Sequence, residues 1–330
     1  MEKDNYDSIR DFLEHKVQNC RILVLGDVML DQYFYGTVTR ISPEAPVPIN
    51  LIKRQENKLG GCANVAHNLA RLGCRVYLSG VIADDYHGQI LKEQLKELQI
   101  DTAGLIYGRE KTTTKARILG GHQQMIRLDF EESDFISKET SHQLYTYVET
   151  ALKQGLDGII LSDYKKGVIT PELSQKVITL AHDFQVPVFV DPKGSDWEKY
   201  RNADYITPNI KELGDAAGFS VNNEDKDVCR ACHSLQEKFE IKTILSTRSE
   251  KGMSLVEKNQ VSHITTVAKD VFDVSGAGDT VIACFSAGVA GGLSTLDAAA
   301  MSNLAAGIGV GKVGTYAVSN EEIFEKLNDN

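Results

Sequence analysis

The run Phe272-Asp273-Val274-Ser275-Gly276-Ala277-Gly278-Asp279-Thr280 holds the residues of this 330-residue chain whose types and spacing point most directly to chemistry. It stands before Thr280 to Leu296, a stretch of seventeen residues without a charge that reads as a buried helix. Two glycines within one turn let backbone approach a ligand closely, and the first amides of a helix lack intrahelical acceptors and point outward. Gly276, Ala277 and Gly278 would thus form a cradle for negative charge. Phosphoryl transfer needs such a cradle, because the moving group spreads charge over its oxygens while the protein supplies position and electrostatics. It also needs a base. Asp279 is expected to stay ionised, since the helix dipole favours negative charge at a helix start, and it could accept the proton of an attacking hydroxyl. Taken alone, the same residues also fit an ordinary turn with Asp279 capping the helix.

Other motif spellings carry less. Cys229-Arg230-Ala231-Cys232-His233 has the haem-attachment spelling, but it lies in a polar helical stretch without an evident second axial ligand, and no Cys or His pair follows at zinc-finger spacing. Gly309-Val310-Gly311-Lys312-Val313-Gly314 spells GxGxxG, yet it follows a helix and leaves too few residues for a dinucleotide-binding unit. A Walker A loop is absent, because Gly311-Lys312 is followed by Val313 and Ala306 stands where its first glycine belongs.

The elements that must position these residues alternate. RILVLG, RVYLSGVI, DGIILSD, PVFVDP, DYITP and KTILSTR are apolar, β-branched runs. Between them lie helix-like stretches such as GCANVAHNLARLG, HGQILKEQLKEL and Pro171 to Phe184. That is the βαβ rhythm of a parallel sheet. Two regions break it, at about 32–54, read as two short strands around a Pro-rich turn, and at 112–130, read as a hairpin turning at Gly120-Gly121. They lack crossover helices and are expected to form a small separate sheet that covers a site or pairs with a second subunit. No internal repeat or low-complexity linker divides residues 1–330, so one domain is expected.

Composition is that of an ordinary globular chain, with 42% hydrophobic and 25% charged residues. A net charge of −10 with scattered Lys and Arg argues against a nucleic-acid surface. The charged first twenty residues lack the apolar core of a secretory signal, so a cytoplasmic protein is expected. The uncharged stretch from Thr280 is too rich in Gly, Ser and Thr for a bilayer span. Six dispersed cysteines are expected as free thiols.

The chain resembles the ribokinase-like (phosphofructokinase-B) sugar kinases. Their signatures appear here in order, as Gly60-Gly61-Cys62-Ala63-Asn64, Asn209-Ile210-Lys211-Glu212 and Gly276-Ala277-Gly278-Asp279. The resemblance implies a doubly wound, mostly parallel α/β sheet flanked by helices, with a small β-sheet lid and ATP and Mg2+ as cofactors. Asp279 would be the catalytic base and Gly276 to Gly278 the anion hole. Asn209 and Glu212 would arrange magnesium indirectly, through water, together with phosphate. Asp31 would grip sugar hydroxyls, with Gly60, Gly61 and Asn64 lining the same pocket. Thr247, Arg248 and Gly252 look like the nucleotide-side loop, joined by Ser275, which replaces the Thr common in the family, and by Asn303. The resemblance leaves open whether a monovalent cation takes part.

Longer stretches, among them GDVMLDQYFYG, RISPEAPVPI, QQMIRLDFEE, LSDYKKG and TRSEKGMSL, are similar to the branch of the family that acts on a heptose phosphate, from roughly Arg21 to Ser319. That implies transfer from ATP to the anomeric hydroxyl of D-glycero-β-D-manno-heptose 7-phosphate, giving the 1,7-bisphosphate in ADP-heptose synthesis. The chain ends at Asn330 without a nucleotidyltransferase sequence, so the kinase step alone is expected. Met29, where ribokinase itself has a polar residue, argues against ribose. A dianionic substrate requires cations near its distal end. Arg117, Arg127, Lys165, Lys166 and Lys193 are the candidates, with Arg127, Lys165 and Lys193 ranked first. A homodimer through the lid strands is expected, with neither nucleic acid nor membrane as partner. The alternatives are another sugar or nucleoside kinase of the family, and a catalytically silent sugar- or nucleotide-binding regulator on the same fold.

Overall fold

Strand β1 (Arg21–Gly26) shows why the chain folds around a central sheet. Ile22, Leu23, Val24 and Leu25 are all fully buried, the pattern of a strand covered on both faces. Successive side chains alternate: Ile22 and Val24 join one apolar cluster, Leu23 and Leu25 the other. The first cluster includes residues of helices Cys62–Leu72, Ala277–Ala290 and Thr295–Gly309. The second includes residues of helices Lys138–Lys153, Pro171–Asp183 and Asp225–Phe239. A computed structural model supplies this architecture and describes residues 4–121, 123–268, 271–312 and 314–328. Within the predicted segments, His122 of the 112–130 region and Val313 of the GxGxxG spelling lie outside the described residues.

After β1 come β2 (Val28–Ile41), β3 (Pro48–Gly61), β4 (Arg75–Ile82), β5 (Asp101–Tyr107), β6 (Thr114–Gly120), β7 (Gln123–Phe130) and β8 (Gly158–Ser162). Then follow β9 (Val188–Asp191), β10 (Tyr205–Ile206), β11 (Thr243–Thr247), β12 (Met253–Val256) and β13 (Val261–Ile264). The nine-stranded sheet has the order β13-β12-β11-β10-β9-β8-β1-β4-β5. It is parallel from β11 through β5, and β12 and β13 are added antiparallel. The chain works outward from β1 through β4 to β5, then returns to the other side of β1 with β8. Ligands of open α/β sheets bind outside the carboxyl ends of the strands at such a reversal. Asp27, Asp163, Tyr164, Asp191 and Thr247 all stand at or just past these carboxyl ends.

The small sheet has the order β3-β2-β6-β7. Its first two strands are longer than the short pair predicted for 32–54, at 14 residues each. The physical reason is continuity with the body: only Asp27 separates β1 from β2, and β3 runs directly into helix Cys62–Leu72 at Gly61. Val28 to Tyr33 and Leu59 to Gly61 are buried at the root of the lid, while its tip is exposed. Asp31 pairs in register with Lys115 and Tyr33 with Arg117, whereas Arg117 faces Arg127 and Lys115 faces Asp129 across the β6–β7 hairpin. These side chains therefore share one face of the lid.

Candidate active site

Asp279 enters the site from the first turn of helix Ala277–Ala290. Gly276 caps that helix with φ 80°, the left-handed region, and no side chain caps it. A Cβ on Gly276 would come within 2.9 Å of Asn64 Nδ2. Asn64 Nδ2 donates to Asp279 Oδ2 at 2.6 Å, and Tyr164 donates its hydroxyl hydrogen to Asp279 Oδ1. The neighbouring turn repeats the link, with Thr280 Oγ1 donating to Asn68 Oδ1 at 3.0 Å. Helices Cys62–Leu72 and Ala277–Ala290 thus meet through a polar seam beneath the carboxylate. Its pKa is pushed up to about 6 by burial, opposed by the hydrogen bonds from Asn64 and Tyr164. A carboxyl group with that pKa is still mostly ionised at neutral pH, as expected, although loss of solvation holds it above the ordinary carboxylate range.

Sequence reasoning did not single out Tyr164 or the carboxylate that orders its loop. Asp27 accepts hydrogen bonds from the backbone amides of Tyr164, Lys166 and Val168 at 2.8, 3.0 and 3.1 Å. A carboxylate between two apolar runs, with no cation adjacent in sequence, was the available signal. Asp191, at the end of β9, was also missed. Burial, then the nearby carboxylates of Asp279 and Glu212, push its pKa well up.

Two cavities meet at Asp279's helix. The polar one, about 400 Å³, is lined from the lid by Met29, Asp31, Gly61, Lys115 and Arg117. The body contributes Tyr164, Asp191, Lys193, Asn209 and Glu212, and the glycine-rich turn Ser275, Gly276, Gly278 and Asp279. The second, also about 400 Å³, is more apolar, with Met253, Val271, Val274, Val281, Ala306 and Val310 beside Thr247, Gly252, Ala277 and Asn303. Thr247, Val274 and Gly278 line both, so one elongated ligand could run from the apolar cavity to the carboxylate.

The predicted residues fall into three groups. In the first are lining residues: Asp31, Gly61, Lys193, Asn209, Glu212, Thr247, Gly252, Ser275, Gly276, Ala277, Gly278, Asp279 and Asn303. Asp31 is ion-paired to Arg117 at 2.6 Å. The Asn303 amide donates to the Thr265 carbonyl at 2.8 Å. Asn209 and Glu212 form a reciprocal capping box, 2.9 and 3.1 Å, at the start of helix Ile210–Ala217. Glu212 also accepts from Lys193 at 2.7 Å.

A second group supports the walls. Gly60 backs Asp31, whose Oδ2 would be 2.7 Å from any Cβ there, and Asn64 is committed to Asp279 instead of a free pocket face. The third group requires correction. Arg248 is fully buried and turned inward to Asn223, Asp225 and Ser254, so Ser249, Glu250 and Gly252 line the cavity in its place. Lys165 is exposed, at φ 59°, in the loop after β8 and lines neither cavity. Arg127 also lines neither; it lies one strand beyond Arg117 and grips Asp129 with two hydrogen bonds of 2.8 and 2.9 Å.

Among the described residues no cluster of three or more His, Cys, Asp or Glu could cage a metal ion. Both Asn209 Oδ1 and the Glu212 carboxylate are already engaged. That donor set fits a magnesium ion carried on nucleotide phosphates and reached through water, the usual habit of this strongly hydrated ion.

A doubly wound sheet, a lid over its carboxyl edge, and a glycine turn presenting a carboxylate define a class: the ATP-dependent carbohydrate kinases. The pfkB family of carbohydrate kinases matches residues 20–323, and the chain belongs to that family. The bifunctional protein HldE of Geobacter sulfurreducens is 45% identical over 307 residues, covering 92% of this chain and 62% of that protein. HldE of Methylobacillus flagellatus is 43% identical over 307 residues, covering 93% of this chain and 63% of that protein. The chain thus spans less than two thirds of the length of these relatives. Ribokinase of Arabidopsis thaliana, solved with ribose and ATP, shares the fold with a TM-score of 0.74 at 18% identity, covering 93% of this chain and 98% of that one. Phosphofructokinase-2 of Escherichia coli, solved with potassium, does so with a TM-score of 0.79 at 18% identity, covering 94% and 98%.

Proposed function

We propose that the chain transfers the γ-phosphoryl group of magnesium-bound ATP to the anomeric hydroxyl of D-glycero-β-D-manno-heptose 7-phosphate, giving the 1,7-bisphosphate for ADP-heptose synthesis. The observation that carries the reading is the position of Asp279, a buried carboxylate that lines the polar cavity beside Gly278, which lines both cavities. The apolar cavity suits an adenosine group, and the first turn beginning at Gly276, which no side chain caps although the Ala277 amide donates to the Val274 carbonyl at 3.2 Å, suits the phosphoryl group in transit. The HldE relatives, at 41–45% identity, support a heptose phosphate as acceptor, and the proposal covers the kinase step alone.

In this reading Asp279 takes the proton of the anomeric hydroxyl as its oxygen bonds to phosphorus. The bond between phosphorus and the β,γ-bridging oxygen breaks, and ADP leaves. Asn64 and Tyr164 hold the carboxylate in place and lower its pKa toward the working range of a base. Asp31, fixed by Arg117, orients sugar hydroxyls from the lid. Magnesium would balance phosphate charge, and Asn209 and Glu212 would order its waters. We place the protein in the cytoplasm as a homodimer joined through the lid. Ile126, Leu128 and Phe130 are exposed on β7, on the face away from Arg127 and Asp129.

A panel of acceptors with Mg-ATP, read as ADP formed, tests the assignment. Heptose 7-phosphate is expected to be turned over in preference to unphosphorylated heptose, ribose, fructose 6-phosphate and adenosine. Preference for any of the others would remove the heptose phosphate from the proposal.

A further inference from the structure

We infer that Lys115, with Arg117 beside it, forms the subsite for the phosphate monoester at the end of the sugar remote from the acceptor hydroxyl. The inference rests on the phosphosugar-kinase reading above. It starts from a mismatch of charge. Arg117 is paired to Asp31 at 2.6 Å, Arg127 to Asp129 at 2.8 Å, Lys166 to Glu131 at 2.7 Å and Lys193 to Glu212 at 2.7 Å. Lys115 is half-buried and lines the polar cavity, yet its ammonium has no hydrogen-bond or ion-pair partner among the described residues. Asp129 faces it across the β6–β7 hairpin but is held by Arg127 Nε and Nη2.

A cation removed from water without a partner is a cost that folding alone does not offset. Burial accordingly pulls the Lys115 pKa down, with Lys166 and Arg127 adding repulsion and Asp129 and Glu131 opposing it. A phosphate dianion supplies the missing partner, and Arg117, two residues along the same strand face, adds a planar donor group. A neutral sugar would leave the ammonium as it is. The location separates this phosphate from those of the nucleotide. Lys115 rises from the lid in register with Asp31, the residue placed on the sugar, whereas the turn from Ser275 to Gly278 belongs to the body.

Steady-state kinetics and calorimetric titration of the full chain with heptose 7-phosphate and with ATP test the assignment in Lys115→Gln and Lys115→Arg. Loss of one charge-assisted contact lowers kcat/KM for the phosphosugar about 10- to 100-fold. The loss is expected in KM for Lys115→Gln, with the KM for ATP unmoved, and Lys115→Arg is expected to restore most of it. An unchanged phosphosugar KM in Lys115→Gln, in a chain whose wild type does phosphorylate heptose 7-phosphate, overturns the subsite and leaves the kinase reading standing. A rise in the ATP KM instead assigns Lys115 to the nucleotide and overturns it equally. A wild-type chain inactive on any phosphosugar defeats the underlying reading itself.

Discussion

In the proposed mechanism Asp279 is asked to be buried, hydrogen-bonded and basic at once, and these demands set its pH behaviour. Proton abstraction requires the ionised form, so kcat/KM should fall about tenfold per pH unit below about 6, the value its burial imposes. The Tyr164 hydrogen bond lowers that value, so Tyr164→Phe should move the acid limb of the profile to higher pH; an unmoved limb would remove Tyr164 from the base's environment. Asp279→Asn should lose roughly 10²–10⁴-fold in turnover while still binding ATP, measured by ADP formation and nucleotide titration. The same residue carries a stability cost of known sign. Its folded pKa of about 6 lies above the ordinary 3.8, so the native state binds the proton more tightly. Stability is therefore favoured at low pH and declines as pH rises from about 4 to about 6, by up to about 3 kcal/mol. Asp279→Asn is expected to melt above wild type at pH 8, with the gap closing toward pH 4. The place of Asp279 in the cavity wall was legible in the sequence because the glycine turn and the carboxylate are contiguous. Tyr164 was not, because the hydroxyl comes from a loop 115 residues away and only the Asp27 bonds to that loop bring it in.

Elements explain the glycines that the motif reading treated as signatures. Gly61 joins β3 to helix Cys62–Leu72 at φ 54°, ψ −133°, and a Cβ there would lie 2.7 Å from the Asp27 carbonyl oxygen. Gly61→Ala should cost at least about 1–3 kcal/mol from backbone strain alone, read as a lower urea midpoint, and should reduce activity because the same turn positions Asn64. A midpoint equal to wild type would mean that the turn relaxes freely. The sheet was legible where periodicity is strong: β1, β4, β8, β9 and β11 are apolar runs, and their alternation with amphipathic helices implies parallel order. The lid's length was not legible. Periodicity marks β2 and β3 only where their faces differ, and their buried roots at Val28 and Gly61 read as part of the core. Arg248 failed for a related reason. Proximity to the nucleotide loop gives no information on side-chain direction, and its partners Asn223 and Asp225 lie more than 20 residues earlier.

At the scale of the whole molecule, the strand order that reverses between β1 and β8 gathers Asp27, Tyr164, Asp191 and Thr247 at one edge, and the lid contributes Met29, Asp31, Lys115 and Arg117 to the cavity there. If the back of the lid joins two copies, light scattering should give a mass near twice the 36.4 kDa of the chain. Ile126→Glu combined with Leu128→Glu should halve that mass; a monomeric wild type would exclude the dimer. The central claim is that one carboxylate directs the phosphoryl group to one oxygen, and product identity tests it most directly. After reaction with Mg-ATP and heptose 7-phosphate, phosphorus NMR should show a second phosphate ester coupled to the anomeric proton. A new phosphate coupled to any other sugar proton, or none at all, would contradict it.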